Sequence, residues 1–183
     1  MAKKGFDVTG VDVSQEMVDL SKKLYPNIQF FKGDMKTWNS NMKFGAITIL
    51  FNSILYNKNE EEFSQTLKNC YDQLIKDGLL VFDTVDKSVG INSQKKVIGN
   101  IDLSFAPQWI YNQKSNQLDL EIDFVIRGKK YHDHHLMGAF SLDEQKSLSE
   151  KVGFKVEIIQ KSFDAIADNP FTIKRTYFVC QKK

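Results

Sequence analysis

Apolar and polar positions alternate in two distinct ways along this chain. In the first half, short apolar runs alternate with stretches of helical spacing. Phe6, Val8 and Val11 form a brief strand-prone run that stops at Asp12. Ser14 follows as an N-cap, with Glu16 in the first turn, where the helix dipole favours a negative charge. Met17, Leu20 and Leu24 recur at helical spacing and predict a helix over residues 15–25, stopped by Pro26. A second short strand is predicted over 27–31 and runs into Gly33-Asp34-Met35. Residues 44–50 are almost continuously apolar, the pattern of a strand buried on both faces. They lead into a loop of aromatic and amide residues, 51–57. Asn59 and Glu62 read as a capping box for a helix that places Phe63, Leu67, Cys70 and Leu74 on one face. Asp77-Gly78 reads as its exit, before a strand over 79–82 that ends at Asp83. The order β-α-β-β-α-β predicts a parallel sheet. Residues 1–5 read as the last turn of a helix with a glycine C-cap.

From about residue 100 to 140 the period changes to two. Leu118, Leu120, Ile122, Phe124 and Ile126 alternate with mostly polar neighbours. Lys114-Ser115-Asn116 and residues 127–130 are turns. These residues predict a three-stranded antiparallel meander, an insertion of about residues 99–140 on or beside the main sheet. Ser141 and Glu144 then form a second capping box, Leu148 and Val152 line the helix, and Gly153 ends it. Two last strands, over 154–159 and 172–180, are expected to close the sheet as a hairpin around a loop carrying Asp168-Asn169-Pro170.

The fold class is therefore α/β, and 183 residues suit a single domain over 1–183. Lys plus Arg (25) nearly balances Asp plus Glu (23), which argues against nucleic acid or an anionic membrane as partner. Cys70 and Cys180 form no CxxC and read as buried thiols of a reducing compartment. With no apolar run of membrane-spanning length and no signal-peptide pattern, a cytoplasmic protein is expected.

Chemistry is concentrated at the predicted strand ends. In an open α/β sheet this edge binds ligands. A carboxylate at Asp12 can accept hydrogen bonds from the two hydroxyls of a ribose, or it can cap the helix with Ser14; the sequence leaves both open. Asp34 is open in the same way, since Gly-Asp is also common turn chemistry. His135 is a candidate general base or acceptor contact because an imidazole takes a proton near neutral pH. The alternative is a structural histidine on a half-exposed strand. His132 and His134 share a strand face without a separate ligand cluster, so no metal is expected. Trp109, Tyr111 and Tyr131 can line an acceptor pocket or pack the insert onto the sheet. Asn52 and Tyr56 can contact an acceptor or shape their loop, and Asp83 is expected to order the loop at its strand end. A nicotinamide-binding domain would also carry an acid after its second strand. Gly33-Asp34-Met35 and the antiparallel C-terminal strands count against it.

Taken together, these segments resemble a class I S-adenosylmethionine-dependent methyltransferase with a Rossmann-like sheet, from the second strand of that fold to its end. "GFDVTGVDVSQEMVDLSKK" is similar to the family's second strand and helix, "FFKGDMKTW" to the third strand and loop, "FGAITILFNSILY" to the fourth and "LIKDGLLVFDT" to the fifth. The resemblance implies S-adenosylmethionine as cofactor. Asp12, with Val13 beside it, would hold the ribose diol; Asp34 the adenine amino group; the Met35 amide a ring nitrogen. Phe51 and Asn52 would face cofactor and acceptor. The insert resembles that of small-molecule N-methyltransferases acting on amino sugars, where it covers the acceptor. This implies His135 as catalytic residue, Tyr56, Trp109 and Tyr131 at the substrate, and a small-molecule acceptor, in one reading a sugar amine. One departure is large. The family's acid-x-Gly-x-Gly-x-Gly turn is missing, because none of the ten glycines are so spaced. The expectation is a sheet truncated at its N-terminus, with its central strand absent and its edges uncovered. A homodimer, or a non-catalytic remnant serving as an interaction subunit, are further expectations from that loss.

Overall fold

The computed structural model describes residues 1–91, 93–95, 97–99, 103–164 and 172–183, with side chains throughout except at 162–164 and 172–174. Asp168-Asn169-Pro170 lies outside the described residues. Three sheets are present among them. In the first, β1 (Thr9–Asp12) runs parallel to β2 (Gln29–Lys32) through the helix α1 (Gln15–Leu24). In the second, β3 (Phe44–Ile49) leads through α2 (Glu60–Gln73) to β4 (Leu74–Thr84), its parallel neighbour. The third is an antiparallel meander of β5 (Ile98–Gly99), β6 (Leu103–Asn112), β7 (Gln117–Ile126) and β8 (Lys129–Gly138). The helix α3 (Leu142–Val152) then returns the chain to the second sheet. There β9 (Phe154–Asp164) and β10 (Thr172–Lys182) form a hairpin, giving the order β3-β4-β10-β9.

Local chemistry explains most boundaries. Residues Ala2–Lys4 form a 3-10 turn closed by Gly5 in the left-handed region, φ 85°. Ser141 and Glu144 make the full reciprocal capping box of α3. At α2 the box is shifted. Asn59 accepts from the Glu62 amide, but the Glu62 carboxylate accepts from the Lys58 amide, one residue before the N-cap. That helix also ends earlier than expected. Asp77, at φ 61°, and Gly78 lie inside β4, where the pairing with β3 slips between Phe44 and Ala46. The pair that reads as a helix exit is thus a strand irregularity. The last helical carbonyls are met instead by the Lys182 ammonium, which donates to Tyr71 and Leu74.

Two expectations about burial change. Among the described residues β3 pairs with β4 alone, and its Gly45, Ala46 and Thr48 are exposed, so it is not buried on both faces. The single parallel sheet is divided, because β1 and β2 are not hydrogen-bonded to β3 among the described residues. Correspondingly Met17, Leu20 and Leu24 of α1 are half exposed or more, and Val18 is its buried residue.

The core lies where α2 and α3 cover the second sheet. Phe82 stacks on Phe178 (4.8 Å, 11°), and Phe63 packs between Phe82 and Phe140. Each buried ring stabilises the fold by about 2–3 kcal/mol. The meander joins this core through Leu118 and Met137, both almost fully buried. Gly138 marks the crossing, since a Cβ there would lie 2.2 Å from the Asn57 carbonyl oxygen. No helix is long and apolar enough to cross a membrane among the described residues.

Candidate active site

Three loops at strand ends and two strands of the meander carry the candidate residues. At the end of β1, Asp12 is exposed, and one of its carboxylate oxygens accepts from the Ser14 amide at 2.9 Å. It therefore does cap the helix, using Oδ1. The Asp12 carbonyl also accepts from Gly33 N at 2.9 Å, which ties the β1 end to the turn bearing Asp34 and Met35. Asp34 is partly buried; its Oδ1 accepts from the Lys36 amide and its Oδ2 lies 3.6 Å from the Lys36 ammonium. Asn69 of α2 donates to the carbonyls of Met35 and Trp38, both at 2.9 Å, fixing this turn on the main body. Val13 stands beside Asp12, exposed.

The end of β3 is held in an unusual backbone. Phe51 (φ 60°) and Asn52 (φ 59°) are consecutive residues in the left-handed region. Such geometry costs of order 1–3 kcal/mol per residue and persists only where surroundings impose it. Buried Asp83, at the end of β4, accepts from the Asn52 amide at 3.2 Å. Its other oxygen pairs with the Arg175 guanidinium of β10, which also lies over the Phe51 ring, 5.3 Å from its centre. Asp83 is thus the anchor of this loop.

A 3-10 turn over Ser53–Tyr56 follows, pinned by buried Asn57. Asn57 donates to the Ile54 carbonyl and accepts from the Thr66 hydroxyl, both at 2.8 Å. The turn presents Tyr56 to the meander. Its phenol oxygen is 2.6 Å from His135 Nδ1, and His135 Nε2 is 3.1 Å from Asp133 Oδ2. A carboxylate only accepts, so Nε2 carries the ring proton and Nδ1 accepts from the phenol of Tyr56. Desolvation, reinforced by the Asp133 charge, raises the Tyr56 phenol above its ordinary value.

Cross-strand register puts Trp109, Leu120 and His135 in one row on one face of the meander. Trp109 is half-buried and packs against the core. Tyr131 shares the face but lies four residues beyond His135, about 14 Å along the strand. His132 and His134 occupy the opposite face. His132 contacts Asp123 (2.8 Å) and Glu121 (2.7 Å), and His134 contacts Asp119 (2.7 Å). The Asp123 hydrogen bond, with help from Glu121, raises His132 above the ordinary imidazole value. No cluster among the described residues has the make-up of a metal site.

Sequence reasoning missed Arg175 and the partnership of Asp133 with His135. Two arginines among 25 basic residues were one available signal, because a buried carboxylate such as Asp83 favours a guanidinium partner. The residues present fit the adenosine half of S-adenosylmethionine: acids stand at two adjoining loops, tied by the Gly33 N to Asp12 carbonyl hydrogen bond. For the amino-acid half, the chain has no closely spaced glycine pair.

Residues 1–78 match a family described as Methyltransferase domain. A putative methyltransferase from Geobacillus sp. (strain WCH70) is 30% identical over 195 residues, covering 100% of this chain and 78% of that protein. An N,N-dimethyltransferase of dTDP-3-amino-3,4,6-trideoxy-alpha-D-glucopyranose from Streptomyces venezuelae is 21% identical over 84% of this chain and 68% of its own length. The crystal structure of an S-adenosylmethionine-dependent methyltransferase from Clostridium acetobutylicum superposes with a TM-score of 0.77 at 16% identity, covering 97% of this chain and 76% of that one. With the relative from Geobacillus matched along the whole of this chain, the chain belongs to the methyltransferase family, and its fold is that of S-adenosylmethionine-dependent methyltransferases.

Proposed function

We propose that this protein methylates an amine of a small molecule, with the acceptor bound between the Tyr56 turn and the meander. The observation that carries this reading is the hydrogen-bonded chain Tyr56–His135–Asp133 beside the strand-end loops. Asp12 and Asp34 would hold the ribose hydroxyls and the adenine amino group, with Met35, Val13, Phe51 and Asn52 alongside. When bound, S-adenosylmethionine supplies an electrophilic methyl group. The chain's own task is to orient the acceptor and to remove a proton, since an ammonium has no lone pair for attack. As the acceptor nitrogen gives its proton to the Tyr56 oxygen, the phenol proton passes to His135 Nδ1. The Nε2 proton then leaves through Asp133, which is exposed to water. A raised phenol keeps Tyr56 protonated at neutral pH, so the transfer is concerted rather than through a standing phenolate.

A sugar amine is the finer reading, supported by the Streptomyces venezuelae relative. The meander, residues 99–140, would act as the cover of the acceptor site. The test is production of S-adenosylhomocysteine from S-adenosylmethionine with a panel of small amines, as a function of pH. His135→Ala should lower turnover at least tenfold, with the loss shrinking as rising pH leaves the acceptor amine unprotonated. Normal turnover by His135→Ala and Tyr56→Phe would overturn the assignment of the proton path.

A further inference from the structure

Resting on the small-amine reading but replacing its sugar form, we infer that the acceptor is an amine with an apolar body, rather than one linked to a nucleoside diphosphate. Beyond the Trp109–Leu120–His135 row, the same face of the meander continues with two more rows: Pro107, Ile122 and Asp133, then Phe105, Phe124 and Tyr131. Pro107, Ile122 and Phe124 are half-buried, and Phe105 and Tyr131 are exposed. This is an apolar strip about 14 Å long, starting at the imidazole, with one carboxylate, Asp133, near the imidazole end. A carboxylate at that position complements an ammonium and opposes a phosphate.

Diphosphate recognition requires guanidinium, ammonium or backbone amide donors. In a nucleotide-linked amino sugar, the diphosphate lies across one sugar ring from the amine, within about three strand residues, or 10 Å. Along β8, the cation on this face among the described residues is Lys129, six residues and about 20 Å from His135. Among the described residues the other cations around the site are engaged, and Lys95, which lines the same cavity as Phe105, Phe124 and Tyr131, is paired with Asp123. Arg175 is held by Asp83 and Phe51, Lys36 by Asp34 and Glu62, and Lys87 by Glu144. Lys58 lies within electrostatic reach of Glu62, and Lys130 is on the opposite face. The strip therefore matches a hydrocarbon or aromatic body, which would bury its surface on Ile122 and Phe124.

The experiment compares ethylamine, phenethylamine and a nucleoside-diphosphate-linked amino hexose, by calorimetric titration in saturating S-adenosylhomocysteine and by methyl transfer from S-adenosylmethionine. Phenethylamine is expected to bind at least tenfold more tightly than ethylamine. Phe124→Asp should remove that preference, as should Tyr131→Ser at an exposed position that leaves the core untouched. Equal affinity of the two amines, or a tenfold preference for the nucleotide-linked amine, overturns the inference while leaving methyl transfer intact. Failure to bind S-adenosylhomocysteine or to methylate any amine would instead overturn the functional reading itself.

Discussion

Replacing Arg175 with methionine removes the cation from Asp83 while keeping most of the aliphatic stem. Asp83 is almost fully buried, and its carboxylate meets the Arg175 guanidinium and the Asn52 amide. Removing one member of a buried pair costs about 3–5 kcal/mol, because the other charge is left without compensation. The Arg175 side chain is 29% exposed, so water screens part of the interaction, and about 2–3 kcal/mol is the better expectation. For a chain of this size that corresponds to a fall of roughly 4–12 °C in Tm. The functional effect follows from the same contact: Phe51 and Asn52 lose what holds them left-handed, and cofactor affinity should fall with stability. The assay is urea unfolding of wild type, Arg175→Met, Asp83→Asn and the double variant. Asp83→Asn should cost less, because the amide removes the charge yet still accepts from Asn52. The double variant should recover at least about 1 kcal/mol relative to additivity. Additive losses, or an Arg175→Met variant within 0.5 kcal/mol of wild type, would refute the clamp.

Gly138→Ala should destabilise the protein by about 1–3 kcal/mol, since its Cβ would meet the Asn57 carbonyl at 2.2 Å. The same variant should shift the Tyr56 turn, seen as weaker acceptor binding; unchanged stability would contradict the close crossing. His132 should titrate above the ordinary imidazole value in NMR, and Asp123→Asn should return it toward that value. Because the folded value is raised, its contribution to stability is complete below about pH 6.5 and disappears as pH rises through the raised value. A resonance titrating at or below the ordinary value would contradict the contact.

Much of this arrangement was legible because local chemistry sets it. The capping box at Ser141, the glycine cap at Gly5 and the period-two meander depend on neighbours in sequence, and each appears in the structure. Asp83 reads as ordering the loop at its own strand end, whereas its carboxylate accepts from the Asn52 amide of the loop after β3. What the sequence hid depends on distant partners. Asp77-Gly78 looks like a helix exit locally, but it forms the irregularity of β4 between the Leu74 and Leu79 pairings with β3. The apolar run of β3 suggests burial on both faces, yet burial is decided by what packs over each face of the sheet, which local sequence does not state. Met17, Leu20 and Leu24 gave the helix by their spacing, while their exposure depends on what packs against α1. At the site, Tyr56 and His135 are 79 residues apart, and Arg175 is 92 residues from Asp83. No local pattern announces such pairs. The strand ends that carry Asp12 and Asp34 were readable, because the acid after a strand is itself a local feature.

The central claim is that the β1 and β2 ends form the adenosine half of a cofactor site. Calorimetric titration of this protein with S-adenosylhomocysteine tests it most directly. The account predicts saturable binding, weakened at least tenfold by Asp12→Ala and by Asp34→Ala, with both variants still folded by circular dichroism. Absence of binding by the folded protein, or binding indifferent to both substitutions, would contradict it.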